Sequence, residues 1–457
     1  MRSLFIILFL ISFSTQLYPQ EKLTLDEAIG IALHQNSTYL KSTSQIEGYE
    51  SSVQAAYGNF LPTLGLGASW DWSRSDVEGI GTIIINGVPI PRIPTTSTSR
   101  SYRGYIYSDW TLFDGLANFS ALSMSQNDLE SAEFTLERVK QDIVFQTMSF
   151  YYEIMYNQRL LQVKQDNLKW NEKNLETIKE RNRLGAATLA DVYQQEVAKG
   201  NAELELIRTE NDLQTAEKDL LFYLGIDVLQ ELEFSDSLSS AEREIIESNL
   251  SQSYQDISEL VDKALNERLD YKSATLSFKS SKDNVNIAQG GHWPSLTASG
   301  SYSLYTDNLS NMDQSKTFGV GLSLNFPLFL GWSVSNRVQL AEVQSKISEI
   351  ELNDLERDIK RQIKTNFLNL QAAQKGLVVS EKNISAAREN LKIEEEKYSL
   401  GSGKLLDVLI VNSRYTTALT DLLNAQFAYI VLSQQLRYYL GVLDYKIYEQ
   451  QTSTGDK

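Results

Sequence analysis

Arg183-Leu-Gly-Ala-Ala-Thr-Leu-Ala-Asp-Val192 is echoed downstream by Ser399-Leu-Gly-Ser-Gly-Lys-Leu-Leu-Asp-Val408. In each stretch a helical pattern ends at Leu-Gly, where glycine takes a positive φ without penalty, and a new one begins a few residues on, before an aspartate. Each is read as the turn of a helical hairpin. The two lie 216 residues apart, and the same offset carries Ala202, Leu220, Tyr223, Leu224 and Gly225 onto Ala418, Leu436, Tyr439, Leu440 and Gly441. It also carries Phe113 and Gly115 onto Phe329 and Gly331. Farther upstream, Ala32, Leu33, Tyr39 and Pro62 fall on Ala264, Leu265, Tyr271 and Pro294 at an offset of 232, so the first copy holds 16 extra residues between Pro62 and Phe113. A fixed period of this kind reads as a tandem duplication. The copies are assigned to residues 21–229 and 257–445, with a Ser- and Glu-rich connector at 230–256 and a tail at 446–457.

Proline placement permits long helices. The seven prolines are at 19, 62, 89, 91, 94, 294 and 327, leaving 95–293 and everything after 327 free of a residue that breaks the helical hydrogen-bond ladder. Within the first interval Leu122, Leu129, Leu136, Ile143 and Phe150 recur every seven residues, with Ala132 and Val139 at companion positions, which is a coiled-coil seam. The pattern predicts a helix from Leu116 to Arg183, roughly 100 Å long at 1.5 Å per residue. Shorter helices are predicted for Leu25–Tyr57 and Thr188–Leu224, and the second copy gives Glu259–Gln289, Ser333–Tyr398 and Leu405–Leu440.

Between the first helix and the long helix of each copy the period changes from helical to alternating. Leu296, Ala298, Tyr302 and Leu304 alternate with Ser295, Thr297, Ser299, Ser301 and Ser303, and Phe318, Val320, Leu322, Leu324 and Phe326 with Thr317, Gly319, Gly321, Ser323 and Asn325. The first copy repeats this with Leu64, Leu66, Ala68, Trp70 and Trp72, and less regularly over Tyr102–Leu112. Four strands of about ten residues, apolar on one face and small or polar on the other, have the length and pattern of tilted membrane strands. The same alternation is compatible with an antiparallel sheet that wets one face. The intervening stretch Ser73–Arg100, with three of the prolines, reads as an irregular exterior loop.

Composition narrows the function. Residues 1–20 read as a secretory signal, with Arg2 ahead of an apolar run from Leu4 to Phe13 and small residues at Ser12, Ser14 and Thr15. No later run of about 18 apolar residues suggests a membrane helix. The chain has no cysteine, which removes disulfides, thiolate metal sites, cysteine nucleophiles and an acylated cysteine. A net charge of -17 argues against nucleic acid, which rewards clustered Lys and Arg. His34 and His292 are the only histidines, and no Gly-x-Ser-x-Gly, His-Glu-x-x-His or phosphate-loop motif occurs, so no enzyme, metal site or cofactor is expected.

The order of helix, strand pair, Leu112-Phe-Asp-Gly115 (or Leu328-Phe-Leu-Gly331), long helix, Leu-Gly turn and return helix resembles the TolC-like outer membrane efflux protein family over essentially the whole mature chain. Because four strands cannot close a barrel, and open edges are not tolerated in lipid, copies must share one. The resemblance implies an α+β membrane protein: a homotrimer whose 12-stranded β-barrel, with four strands per chain, is continued by a long periplasmic α-helical coiled-coil barrel. It also implies a passive export duct of a tripartite efflux or type I secretion system, set in outer-membrane lipid and fed by an inner-membrane transporter through a periplasmic membrane-fusion adaptor. The resemblance places adaptor docking at the hairpin tips, Leu184, Gly185, Leu400 and Gly401, and a pore constriction at Asp191, Asp407 and Tyr398, with a Tyr398–Asp191 link as the latch. Two features depart from the family pattern: Gly403 stands where a basic residue is expected and Ile410 where a second acidic one is. The alternative function is a coiled-coil structural or adhesive protein of the periplasm or cell surface without a channel.

Overall fold

The computed structural model describes residues 22–79, 81–91, 94–235, 256–311 and 315–448. The signal assigned to residues 1–20, most of the connector and most of the tail lie outside them. The first half runs α1 (Leu25–Gln35), α2 (Ser37–Gly58), β1 (Gly65–Val77), β2 (Thr82–Ile85), β3 (Val88–Pro91), β4 (Thr95–Phe113), α3 (Ala117–Arg183) and α4 (Leu189–Leu224). The second runs α5 (Ile257–Glu267), α6 (Leu269–Gly290), β5 (Ser295–Thr306), a 3-10 turn at Leu309–Asn311, β6 (Ser315–Asn325), α7 (Ser333–Ser399) and α8 (Leu405–Tyr439). Both long helices have 67 residues. Among the described residues no helix is long and apolar enough to cross a membrane. The chain divides into two compact units, one of Met1–Ser44, Thr135–Asp270 and Leu355–Lys457, the other of Gln45–Phe134 and Tyr271–Asp354.

In the second unit β1, β4, β5 and β6 form one antiparallel sheet in that order, leaving β1 and β6 as its two edges. The register aligns Leu66, Ile106, Tyr302 and Phe318 across all four strands on one face, and Gly65, Tyr107, Ser301 and Gly319 on the other. On that small-residue face the Tyr107 and Tyr105 rings lie directly over Gly65 and Gly67, where any Cβ would collide. The apolar face is left open, Leu66 at 81% and Leu322 at 72% exposure. The loop expected over Ser73–Arg100 is more regular than its prolines suggest. Strands β1 and β4 run on through it as far as Val77 and from Thr95, and β2 and β3 make a separate hairpin within it.

The first unit holds the main core, where Ile143, Val144, Tyr152 and Met155 of α3 meet Ala28 and Ile29 of α1, Leu220 and Leu224 of α4, and Ile430 of α8. Two helices that periodicity predicts as continuous are broken here. Asn36 separates α1 from α2 and Arg268 separates α5 from α6, both in extended backbone (ψ 130° and 123°) and both buried. The breaks are equivalent positions of the two copies, 232 residues apart, and each interacts with the end of its return helix. Asn36 Nδ2 donates to the Tyr223 carbonyl at 2.8 Å while its Oδ1 accepts from the Thr38 amide at 2.8 Å, starting α2. Arg268 donates to the Tyr439 carbonyl at 3.4 Å and to the Asp270 carboxylate at 2.6 Å. The last carbonyls of a helix lack internal partners and carry partial negative charge, so a buried donor placed there satisfies both demands. Arg138 adds a second cation to the end of α8, donating to the Tyr438 carbonyl at 3.0 Å with its guanidinium 3.8 Å from the Tyr438 ring centroid. Burial pushes the Tyr438 hydroxyl up to about 12, against the opposing pull of Arg138.

The return helices stop at Gly225 and Gly441, with φ of 79° and 73°. A Cβ would sit 2.8 Å from the Gln35 carbonyl oxygen at Gly225 and 3.0 Å from the Arg268 amide nitrogen at Gly441. Conformation and space therefore demand glycine at the two places where return helix and broken helix touch. Gly225→Ala and Gly441→Ala are each expected to cost about 1–3 kcal/mol or more. Gly200→Ala, on α4 where a Cβ meets nothing within 4 Å, is expected to be neutral or stabilising by up to about 1 kcal/mol. Unfolding midpoints followed by circular dichroism separate the two classes.

Candidate functional site

The two long hairpins turn at the positions read from the sequence. Gly185 and Gly401 both have φ 77°. At the first turn the Gly185 amide donates to Asn182 O (2.9 Å) and Ala186 to Arg181 O (2.7 Å); at the second, Gly401 donates to Tyr398 O (3.1 Å) and Ser402 to Lys397 O (2.9 Å). This pair of bonds closes a helix end through a left-handed glycine. Unlike Gly225 and Gly441, neither tip glycine faces a neighbour within 4 Å, so here conformation alone selects glycine. Leu184 and Leu400 project from the turns, 71% and 82% exposed.

Beyond the turns the copies differ. Thr188 and Asp191 form a reciprocal cap on α4: the Asp191 amide donates to Thr188 Oγ1 (3.1 Å), and Asp191 Oδ2 accepts from the Thr188 amide (2.9 Å) and hydroxyl (2.7 Å). The equivalent residue on α8 is Lys404, which makes no side-chain cap, and the exposed Asp407 carboxylate has no hydrogen-bond or ion-pair partner among the described residues. One aspartate is thus tied to its own helix and the other is free. Gly403 belongs to the same turn, its amide donating to Lys397 O at 3.1 Å, and a Cβ would lie 3.0 Å from the Tyr398 nitrogen. The equivalent position of the first turn, Ala187, does carry a Cβ.

Tyr398 joins the two hairpins. It packs against two buried clusters, one of Ile178, Val192 and Leu405 and one of Leu391, Val408 and Val411. Within the chain no Tyr398–Asp191 hydrogen bond is made among the described residues, and Asp191 Oδ2 is bonded to Thr188 instead. Arg181 of α3 takes its place at the tyrosine, donating to the Tyr398 carbonyl at 3.3 Å with its guanidinium 4.9 Å from the ring centroid. A second tie joins the same two helices where Trp170 Nε1 donates to Glu395 Oε1 at 2.8 Å. Sequence reading missed both residues; neither carries a motif, although Arg181 is the first-copy counterpart of Lys397.

Behind the tips α3, α4 and α8 meet through polar side chains. Asn167 Oδ1 accepts from Asn412 Nδ2 (3.0 Å) and Thr416 Oγ1 (3.3 Å), and the fully buried Gln195 Nε2 donates to Asn171 Oδ1 (3.0 Å). Asn167, Asn171, Asn412 and Thr416 border a cavity of about 380 Å³ lined also by Lys164, Glu205 and Ser413. Polar contacts of this kind fix one register between helices where apolar contacts would tolerate sliding. Among the described residues no group of three or more His, Asp or Glu is placed to hold a metal. Hairpin turns, a free carboxylate and an interhelical tyrosine seam offer surfaces and charge.

Residues 28–226 and again 260–442 match the family described as outer membrane efflux protein. The chain belongs to that family. It is similar to the outer membrane protein TolC of Vibrio cholerae, 22% identical over 92% of this chain and 91% of the relative. Its fold is similar to that of CusC, with a TM-score of 0.79 at 15% identity, covering 91% of this chain and 92% of that one. It is also similar to VceC from Vibrio cholerae, with a TM-score of 0.77 at 19% identity, covering 91% and 96%. As an outer membrane efflux protein, the chain is an outer-membrane protein of a family of channels rather than enzymes, mostly helical with some sheet.

The asymmetric capping gives this efflux protein a testable difference between its hairpins. Lys404→Thr supplies the hydroxyl that Asp407 lacks, and is expected to stabilise the start of α8 by about 1 kcal/mol. Thr188→Ala should destabilise α4 by a similar amount. Limited trypsinolysis after Arg183 and Lys397 reads each turn separately, slower cutting being expected for the first variant and faster for the second.

Proposed function

We propose that three copies of this chain close a twelve-stranded outer-membrane barrel, four strands from each, continued by a periplasmic coiled-coil tunnel. The assembly acts as a passive duct, taking substrate from an inner-membrane transporter through a periplasmic membrane-fusion adaptor and releasing it outside, in efflux or type I secretion. The observation that carries this reading is the sheet. Its apolar face is uncovered, its other face carries mostly glycine, serine and threonine together with Tyr105, Tyr107, Arg103 and Asp109, and β1 and β6 have no strand on their outer side among the described residues. In hydrocarbon such a sheet is stable only when closed, and four strands are too few. The family match in two segments supports the tandem duplication, with domains at 21–229 and 257–445 about the connector.

The working end is assigned to the hairpin turns. Leu184, Gly185, Leu400 and Gly401, exposed and held by closed helix ends, are the adaptor-docking tips. Asp191, Asp407 and Tyr398 form the constriction, with Tyr398 as the packed seam and Asp407 as the charge. Three uncompensated Asp407 carboxylates around a threefold axis would make an acidic ring that concentrates cations.

Outer-membrane fractions run unheated should give a band at three chains that collapses to one on boiling; a soluble monomer would sink the shared barrel. Leu322→Arg puts a charge on the lipid face at a cost of roughly 2–4 kcal/mol per chain near the bilayer midplane, and should abolish that band, while Ser323→Arg on the opposite face should keep it. Asp407→Asn should move the reversal potential of the reconstituted channel toward anions; an unchanged selectivity would remove Asp407 from the pore.

A further inference from the structure

The insertion that distinguishes the first half from the second is a hairpin without a partner. Strands β2 and β3 join across Asn86 and Gly87, with φ of 52° and 81°, the geometry of a two-residue turn that follows the twist of its strands. The pairs Ile83–Ile90 and Ile85–Val88 put four aliphatic side chains on one face, all exposed, and Ile84 stands on the other at 74% exposure. From Gly79 to Pro91 the sequence has no charge, in a chain of net charge -17. A lone two-stranded hairpin is marginal in water, and a continuous aliphatic face marks a contact surface.

We propose that the contact is with the same hairpin of two further copies, three meeting on the threefold axis and narrowing the outer mouth of the channel. The proposal rests on the trimeric reading above. By topology the hairpin joins the ends of β1 and β4 opposite those that lead to α2 and α3. It rises from β1, a free edge of the four-stranded sheet, and so stands at the seam where the next copy must attach. Each seam then carries one hairpin, since β5 and β6 are joined without such an insertion. Three strongly acidic chains repel at close range, and an uncharged surface lets them meet on the axis without that penalty.

The edges of the hairpin exclude the other way of joining copies. In a hairpin of this kind Ile85 and Val88 share both hydrogen bonds, as do Ile83 and Ile90, so the backbone groups of residues 82, 84, 89 and 91 point outward. On β2 these are Thr82 and Ile84, which can donate. On β3 they are Pro89 and Pro91, which have no N–H. A ring in which each β2 edge pairs with the next β3 edge lacks every donor from the β3 side, half of its hydrogen bonds, and a β2-to-β2 pairing is twofold. What remains for a threefold contact is the aliphatic face of Ile83, Ile85, Val88 and Ile90.

The chain has no cysteine, so a single introduced thiol reports cleanly. Ile85→Cys in the full-length protein, oxidised in outer membranes and boiled without reductant, should run as a disulfide-linked pair, since bridging needs Cα atoms within about 7 Å. Ser301→Cys on the small-residue face of β5 should not link. The double variant Ile83→Asp, Ile85→Asp, still a heat-modifiable trimer, should raise single-channel conductance by roughly twofold or more as an apolar constriction is opened. A trimer in which Ile85→Cys stays unlinked, or in which the double variant conducts as the parent does, overturns the cap and leaves the shared barrel standing. A parent chain that runs as a monomer unheated overturns both.

Discussion

Unpaired backbone at the edges of the sheet is the constraint on which everything else depends. The four strands pair β1 to β4, β4 to β5 and β5 to β6, and the outer edges of β1 and β6 have no strand beside them among the described residues. In water such edges cost little; in hydrocarbon each unsatisfied group costs several kcal/mol. On the proposed reading, closing those edges takes neighbouring copies of the chain. The alternation of Phe318, Val320, Leu322 and Leu324 with Thr317, Gly319, Gly321 and Ser323 fits that reading, since it gives the strand one apolar face and one small, polar face.

The helical part answers a similar demand by different means. Long helices minimise the number of unsatisfied ends, and the ends that remain are closed individually. Four left-handed glycines do this, and the pairs differ in kind. Gly185 and Gly401 stand in open space and are glycine for conformation alone. Gly225 and Gly441 press on the backbone of the neighbouring helix break and are glycine for space as well. At those breaks Asn36 and Arg268 spend their side chains on the carbonyls of the return helices, so a local interruption is compensated by a long-range contact. The return helices α4 and α8 thus begin at the tips and end at the breaks.

The copies have also diverged where a shared fold leaves freedom. Asp191 is absorbed by Thr188 into a helix cap, whereas Asp407, facing Lys404 in sequence, stays free. Only the second aspartate has an electrostatic field unspent on its own helix. Arg181 at Tyr398 supplies a cationic contact to the seam from the opposite hairpin, while position 403 of the second turn is glycine.

Much of this was legible in the residues alone. Glycine at a positive φ, proline-free intervals, the seven-residue seam and the two-residue alternation each follow from one element's own geometry, so turns, helices and all four sheet strands were readable without any partner. The breaks at Asn36 and Arg268 were not, because helical propensity runs through both and only the carbonyls of Tyr223 and Tyr439, nearly two hundred residues away, make an extended residue favourable there. Arg181 and Trp170 were hidden for the same reason: their role is a contact between helices, and no local pattern records which helices will meet. The β2–β3 hairpin was obscured by its prolines, which read as an irregular exterior loop in sequence; in the structure they occupy the outward-facing positions of an edge strand, where a missing N–H costs nothing. Periodicity determined what each element is, and packing decided which backbone groups it must satisfy.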